Sequence, residues 1–333
     1  MSALLQLKST ARLARYILWP TLALLAPLVA GAAEPAAPRI LVVQSGDSPI
    51  YGAASEAIRE QLRGYCATMP ARCPRTYKLE VAILENGALP ASTVEAADLV
   101  VTLGRRASLA ISKQRPSRPT LFALIPRDTA DSLPGCCEAG PPDRQQTALV
   151  LDQPLERQLR AIRGALPGRK RVGVLLNPGS GELASRLQRL AGTSDLRITT
   201  AQVDDPDRVG AVLNDLLPQV DLLLALPDPG IYNRRSIVSI LLASYRRRVP
   251  VVGFSKAYAD AGALFALHTT PEQIGRQIAE MIGRQLTRGD GLTAPLKYPS
   301  HFKIAVNTRV AHSLGIELPD MDALAAGLQG EAE

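Results

Sequence analysis

Short apolar runs alternate with amphipathic stretches along the chain from residue 39 onward. The runs predict strands at 39–43, 79–84, 98–103, 119–124, 147–151, 171–176, 196–203, 220–226, 249–254, 263–267 and 303–307. Between them, residues such as Leu155, Leu159, Ile162 and Leu166 recur at the spacing of one helical face. Strands that alternate with helices predict an α/β fold of parallel, doubly wound sheets.

The stretch 171–182, which reads RVGVLLNPGSGE, lies near the middle of the chain. Its apolar half predicts a buried strand, its Asn-Pro-Gly-Ser-Gly segment a turn, and Glu182 the start of a helix. Such a turn places backbone N–H groups at the carboxyl edge of a sheet, where open α/β folds bind ligands.

The two halves of the chain repeat one pattern. Residues 97–103 (ADLVVTL) resemble 220–226 (VDLLLAL), and 118–123 and 249–254 follow them at similar offsets. A length of 333 residues also suggests about two domains. We therefore expect two similar lobes with a ligand cleft between them, faced by the turns that follow the strands.

The first 33 residues have the features of a signal peptide. Basic residues precede an uncharged apolar run at 16–30, and small residues follow, which predicts cleavage after Ala32 or Ala33. The run is short for a membrane span, although an uncleaved anchor is the alternative. The sequence thus predicts an exported, periplasmic protein.

The formal net charge is +7, and removal of residues 1–33 leaves +4. Many arginines are scattered over predicted loops and helix ends: Arg105, Arg106, Arg115, Arg118, Arg246, Arg247 and Arg248. The ordinary interpretation is a solvated surface. Export also argues against nucleic acid as a partner.

The sequence contains four cysteines, and export to an oxidising compartment would allow them to form disulfides. Cys66 and Cys73 flank a short loop and are expected to pair, whereas a bond between the adjacent Cys136 and Cys137 would be strained. Four cysteines allow three pairings, and the sequence does not choose among them. No metal site is expected, because paired C-x-x-C spacing and a histidine cluster are both missing.

The candidate ligand-binding residues all follow predicted strands. They are Ser45, Asp47, Tyr51, Gly104, Arg105, Arg127, Asn177, Ser180, Glu182, Asp228, Tyr232, Ser255 and Lys256. Arg105 or Arg127 could hold an anion in a bidentate manner, and Asp228 or Glu182 could pair with an ammonium group. Arg127 and Lys256 favour an anionic ligand. For each residue alone, the alternative is a solvated loop or a helix cap.

Catalysis is not expected from this sequence. The three histidines are isolated, and neither G-x-S-x-G nor H-E-x-x-H occurs. The glycine turn at 179–181 lacks the Lys-Ser/Thr ending of a phosphate-binding loop. No cofactor is expected.

Several stretches together resemble a known family. They are 97–104, 118–124, 169–182, 220–228, 248–267, 271–289 and 302–319. In their order and spacing they resemble the ABC-transporter substrate-binding proteins of the tryptophan/tyrosine-binding type, which have the type I periplasmic-binding fold. The last stretch, FKIAVNTRVAHSLGIELP, is the most specific.

The resemblance implies two lobes that close on a small ligand and deliver it to a membrane permease. Hinges are expected near residues 150, 268 and 298. The N-terminal lobe would comprise 38–150 and about 268–298, and the C-terminal lobe 151–267 and about 299–320, before a polar tail at 321–333. Because four turns after strands depart from the family's usual residues, the alternative is a periplasmic ligand sensor that reports to a membrane receptor or sensor kinase.

Overall fold

A computed structural model describes residues 37–68, 73–74, 76–85, 87–136 and 145–330, so the targeting segment lies outside the described residues. The strands are β1 (Arg39–Gln44), β2 (Lys78–Ile83), β3 (Leu99–Leu103), β4 (Thr120–Ile125), β5 (Gln146–Val150), β6 (Arg171–Leu176), β7 (Arg197–Gln202), β8 (Leu222–Leu224), β9 (Val251–Gly253), β10 (Phe265–His268), β11 (Leu296–Lys297) and β12 (Lys303–Val306). Each strand that the apolar runs predicted is present. The two-residue β11 was not predicted.

The helices lie between the strands. They are α1 (Pro49–Thr68), α2 (Ala91–Glu95), α3 (Arg105–Gln114), α4 (Arg127–Asp131), α5 (Leu155–Ala165), α6 (Gly181–Gly192), α7 (Val209–Leu216), α8 (Ile237–Arg246), α9 (Lys256–Ala261), α10 (Pro271–Arg288), α11 (Thr308–Leu314) and α12 (Met321–Gly330). The start of α10 follows its sequence signals, because Thr270 and Gln273 form a capping box and Pro271 begins the helix.

Two sheets form the centres of two lobes. The first has the strand order β11-β5-β4-β3-β1-β2, and the second has the order β12-β10-β9-β8-β6-β7. The pairs are parallel except for β10 with β12. This confirms the predicted α/β fold of two similar lobes.

The antiparallel β12 corrects the prediction of wholly parallel sheets. The end of β10 pairs with the start of β12, since His268 lies opposite Lys303. Between them the chain passes through α10 and β11 in the first lobe and returns to the point where it left the second. A strand that starts where its neighbour ends must run in the opposite direction.

Helix α10 belongs to the first lobe, where it packs closely on α1. An added Cβ at Gly275 would lie 2.5 Å from the Ala54 carbonyl oxygen, which is too close for a real side chain. An added Cβ at Gly283 would clash with the Tyr65 ring. Ile278, between the two glycines, is fully buried in the first lobe's core. Small residues thus allow the two helix backbones to approach each other.

The segment predicted as a polar tail forms helix α12 instead. Met321, Ala325 and Leu328 recur at helical spacing and are buried in the core of the second lobe. Leu324 packs on Gly164 of α5, where an added Cβ would lie 2.6 Å from its Cδ1 atom. Burial of this apolar stripe stabilises the helix although the rest of the segment is polar. Residues 331–333 lie outside the described residues.

The chain passes between the sheets three times, after β5, after β10 and after β11. Side chains tie the passages together: Gln153 Nε2 donates to Thr269 Oγ1 at 2.8 Å, and Thr269 Oγ1 donates to the His301 carbonyl at 3.0 Å. Arg157 Nη1 donates to both Gln153 Oε1 and the Pro299 carbonyl at 2.8 Å. We refer to these five residues as the crossing network.

A disulfide joins Cys66 and Cys73, with their Cα atoms 5.3 Å apart, and confirms the expected pairing. It connects the end of α1 to the segment before β2. Cys136 is buried, and Cys137 lies outside the described residues. Across the described part of the chain, no helix has the length and apolar character needed to cross a membrane.

Candidate functional site

A cavity of about 340 Å³ opens between the two sheets beside the crossing network. Its walls come from the carboxyl ends of strands in both lobes and from two passages of the chain, the one after β5 and the one after β11. The polar lining residues are Arg127, Asp128, Asp131, Asp152, Gln153, Gln158, Asn177, Ser180, Glu182, Arg186, Asp228 and Tyr298. The position agrees with the rule that parallel α/β sheets bind ligands beyond the carboxyl ends of their strands.

The two cavity arginines already have partners within the protein. Arg127 on α4 donates from Nη1 to the Tyr298 hydroxyl at 2.8 Å, and Arg186 on α6 donates to the same oxygen at 3.4 Å. Arg186 Nη2 also contacts both oxygens of Glu156 at 3.0 Å, and Arg127 Nε lies 3.5 Å from Asp131. Tyr298 therefore connects a cation of the first lobe to a cation of the second.

Asp152 lies where the chain leaves β5 for the second lobe. Its Oδ2 accepts a hydrogen bond from the Arg127 backbone N–H at 2.7 Å. Removal of the carboxyl from water raises the pKa of Asp152 from 3.8 to about 6, although this backbone N–H and the Arg127 guanidinium oppose the shift. Asp128 adds to the rise. A nearby cation would lower this pKa again.

Asn177 and Asp228 join two turns of the second lobe. Asn177 Nδ2 donates to Asp228 Oδ2 at 2.6 Å, and Asn177 Oδ1 accepts from the Gly179 N–H at 2.8 Å. Asp228 Oδ1 accepts from the N–H groups of Gly230 and Ile231. Both side chains fold their own turns, as Asn and Asp commonly do, and so fix the cavity wall.

The remaining acidic groups have fewer partners. Glu182, in the first turn of α6, forms no ion pair or side-chain hydrogen bond with another described residue. Among the described residues, Asp128 accepts hydrogen bonds from the N–H and hydroxyl of Thr129. Since five carboxyl groups and two guanidinium groups line the cavity, its lining carries a surplus of negative charge and of hydrogen-bond acceptors.

Residues 93–327 match the protein family described as ABC transporter substrate binding protein. The chain belongs to this family. Its members bind substrates rather than convert them, and this protein is a solute-binding protein that delivers its ligand to an ABC importer. A comparison with curated proteins gives no match.

Solved structures share the fold of this substrate-binding protein. One is a ligand-free, open substrate-binding protein with adhesive properties from Clostridium difficile, with a TM-score of 0.62, 17% identity, and coverage of 85% of this chain and 96% of that one. Another is an ABC domain in complex with L-Trp from Streptococcus pneumoniae, with a TM-score of 0.55, 18% identity, and coverage of 87% and 99%. A conserved domain protein from Vibrio cholerae gives a TM-score of 0.55 and 22% identity over 87% and 97%. These likenesses support the periplasmic-binding fold.

Five of the residues expected to bind ligand line the cavity of the binding protein. They are Arg127, Asn177, Ser180, Glu182 and Asp228. Ser180 is the residue that precedes α6, yet its side chain makes no capping hydrogen bond. Its hydroxyl is therefore not committed to the helix end.

A second group of expected residues lies at the same edge of the first sheet but outside the cavity lining. It comprises Ser45, Asp47, Tyr51, Gly104 and Arg105. Ser45 Oγ accepts a hydrogen bond from the Ala107 N–H at 2.9 Å and holds the start of α3. Gly104 has a φ of 91°, and an added Cβ would lie 2.5 Å from the Tyr51 hydroxyl oxygen. Asp47 and Arg105 are exposed.

The last three expected residues stabilise the second lobe itself and do not line the cavity. Tyr232 is buried against the rings of Phe254 and Tyr258, with ring centroids 6.0 and 5.9 Å apart. Ser255 caps α9, and the exposed Lys256 pairs with Asp260 at 2.8 Å. Lys256 therefore gives the cavity no positive charge, and the argument for an anionic ligand loses one of its two residues.

Sequence reasoning missed Asp128, Asp131, Asp152, Arg186 and Tyr298. Asp152 could have been found, because it directly follows a predicted strand in the same way as the chosen candidates. Arg186 lies four residues after Glu182 on the same helical face. Tyr298 carries no such signal, since its place in the cavity follows from the third passage between the lobes.

Proposed function

We propose that this solute-binding protein is exported and closes its two lobes on a small ligand that carries a positively charged amino group. The observation that supports the proposal is the surplus of carboxyl groups in a cavity whose two guanidinium groups already have partners. A ligand that donates hydrogen bonds would satisfy acceptors that the chain leaves open.

The half-buried carboxyl of Asp152 strengthens the electrostatic argument. An ionised carboxylate removed from water is unfavourable unless a cation or hydrogen bonds compensate it. Its Oδ2 receives one backbone hydrogen bond from Arg127, whose guanidinium points its Nη1 at Tyr298. An ammonium group next to Asp152 would supply the missing compensation.

The distribution of the carboxyl groups supports closure. Asp128 and Asp131 belong to the first lobe, whereas Glu182 and Asp228 belong to the second. A cation that contacts both sets stabilises the closed form more than the open one, and only such a differential contact can shift the population of the two forms. Hinge bending at the three passages would then bring the lobes together.

Two observations support export. Residues 1–33 have the pattern of a cleaved signal peptide, and the Cys66–Cys73 disulfide suits an oxidising compartment. The tryptophan/tyrosine type is one form of the ligand proposal, because an α-amino acid brings the ammonium group. Arg127 Nη2, which makes no hydrogen bond to another described residue, could then receive the carboxylate.

The test is a thermal-shift screen of residues 37–333, which form one compact unit up to the chain end. The probes are L-tryptophan, L-tyrosine, L-arginine, spermidine, succinate and inorganic phosphate. A ligand at 100 times its dissociation constant adds about 2.7 kcal/mol to the free energy of unfolding and raises the melting temperature. We expect amine-bearing probes to act and succinate and phosphate to have no effect.

A matched pair of variants locates the site. Glu182→Gln removes a cavity charge and should weaken binding of the active probe at least tenfold in calorimetric titration. Glu60→Gln removes a charge from an exposed position on α1 and should leave binding unchanged. If only succinate or phosphate acts, the proposed ligand class is wrong. If an amine acts equally on both variants, the proposed site is wrong.

A further inference from the structure

Helix α8 of the second lobe carries an apolar stripe on its outer face. Val238, Leu242 and Tyr245 are 67%, 44% and 46% exposed and recur at the i, i+4, i+7 spacing of one face. The inner face is apolar too, since Ile240 and Leu241 are buried against the lobe core. A helix that is apolar on both faces normally lies inside a protein or against a partner.

Exposed arginines flank the stripe at both ends of the helix. They are Arg234, Arg235, Arg246, Arg247 and Arg248. None forms an ion pair with a described residue, and Arg247 donates one hydrogen bond to Asn214 Oδ1. The sequence contains no Asp or Glu between Asp228 and Asp260. The positive charge of this surface is therefore not neutralised by its own segment.

We infer that the α8 patch, defined as the three exposed apolar residues with the five flanking arginines, docks on a lipid bilayer that contains anionic headgroups. A helix of ten residues is about 15 Å long, and Arg246 lies one turn after Leu242 on the face of the stripe, so the stripe and arginines from both ends of the helix lie within a short distance of each other. The stripe would enter the boundary between headgroups and acyl chains, and the guanidinium groups would meet lipid phosphates. Tyrosine suits this depth because its ring is apolar and its hydroxyl is polar.

Other occupants fit the patch less well. A second copy of the chain would bring five arginines against five arginines in a symmetric contact, and like charges in such an interface are unfavourable. Nucleic acid would use the arginines but would leave the apolar stripe in water. An acidic protein surface is a separate hypothesis, which the test below distinguishes.

The inference is independent of the ligand cavity. The patch lies on a helix that follows β8, and its residues are not among those that line the cavity. Docking of α8 would keep the second lobe at the membrane that holds the importer. Ligand binding and membrane docking can therefore fail separately in experiments.

The test is co-sedimentation of residues 37–333 with vesicles of phosphatidylcholine alone or with about 30 mol% phosphatidylglycerol. We expect binding to the anionic vesicles only, and weaker binding at higher salt. The variant Arg234→Gln/Arg235→Gln/Arg246→Gln should bind about a hundredfold more weakly. The variant Val238→Gln/Leu242→Gln keeps every charge and should bind about tenfold more weakly.

A control variant removes the same charge elsewhere. Arg189→Gln/Arg276→Gln/Arg309→Gln changes three exposed arginines on other helices and should leave binding within about twofold of the unchanged chain. Equal loss in this control would overturn the inference, since net charge alone would then explain binding. Full binding by the apolar variant would also overturn it, since the stripe would then have no part in docking. No binding to anionic vesicles at all would overturn it and favour an acidic protein partner.

Discussion

The crossing network and the ligand cavity lie side by side, yet their polar groups are used differently. In the crossing network, Gln153, Arg157 and Thr269 bond to one another or to backbone carbonyls at 2.8–3.0 Å. Arg157 Nε is buried without a hydrogen bond, but its guanidinium lies 4.5 Å from the Phe302 ring centroid. These contacts hold three separate parts of the chain together.

In the cavity, by contrast, some carboxylate acceptors have few partners among the described residues. Glu182 forms no ion pair or side-chain hydrogen bond with another described residue, and the Asp152 carboxyl is hydrogen-bonded by backbone N–H groups alone. A fold can satisfy buried polar groups when stability is the only demand, as the adjacent network demonstrates. Glu182 and Asp128 are exposed, so water supplies their hydrogen bonds, and a ligand that donates hydrogen bonds there can replace that water.

The largest effect is expected from breaking the crossing network. Arg157→Ala removes two hydrogen bonds and leaves Gln153 Oε1 and the Pro299 carbonyl unsatisfied in a buried region. We expect the free energy of unfolding to fall by about 3 kcal/mol, measured by urea denaturation. The exposed Arg189→Ala should change it by less than about 0.5 kcal/mol. Equal losses would show that the network does not stabilise the fold.

The second effect concerns the carboxyl of Asp152 and the pH dependence of the free energy of unfolding. Because its pKa is raised from 3.8 to about 6 on folding, the folded state binds the proton more tightly. This group's contribution to the free energy of unfolding therefore falls as the pH rises from about 4 to about 6, by about 2 kcal/mol. Asp152→Asn should abolish that component, as measured by unfolding at about pH 4 and about pH 7. An unchanged pH dependence would contradict the assignment.

A smaller effect is expected where the two regions meet. Tyr298→Phe removes the oxygen that accepts from Arg127 and Arg186 but keeps the ring. We expect a loss of about 1 kcal/mol in the free energy of unfolding, because both arginines keep a carboxylate partner. A loss as large as that of Arg157→Ala would place Tyr298 in the crossing network rather than at its border.

The smallest effect tests a residue outside both regions. Lys256→Ala removes an exposed pair with Asp260 one helical turn away and should cost about 0.4 kcal/mol. Affinity for the active ligand, measured by calorimetric titration, should not change, since Lys256 does not line the cavity. A clear loss of affinity would mean that the closed lobes bring Lys256 to the ligand.

The sequence by itself determined the two-lobe α/β fold, because strand and helix periodicity and the turns after strands are local properties. It also indicated Asn177 and Asp228, whose side chains fold their own turns, and the Cys66–Cys73 pair, which closes a short loop. The helix at 321–330 was missed, although its apolar spacing was present in the sequence.

Only the tertiary structure decided which candidates share one cavity and what charge surrounds the ligand. Tyr298 reaches the cavity because the chain crosses between the lobes a third time, and Lys256 stays outside although it follows a strand as Asp228 does. The direction of β12 was likewise decided by where the chain re-enters the second lobe. Such properties depend on distances between residues far apart in the chain, and local periodicity carries no information about those distances.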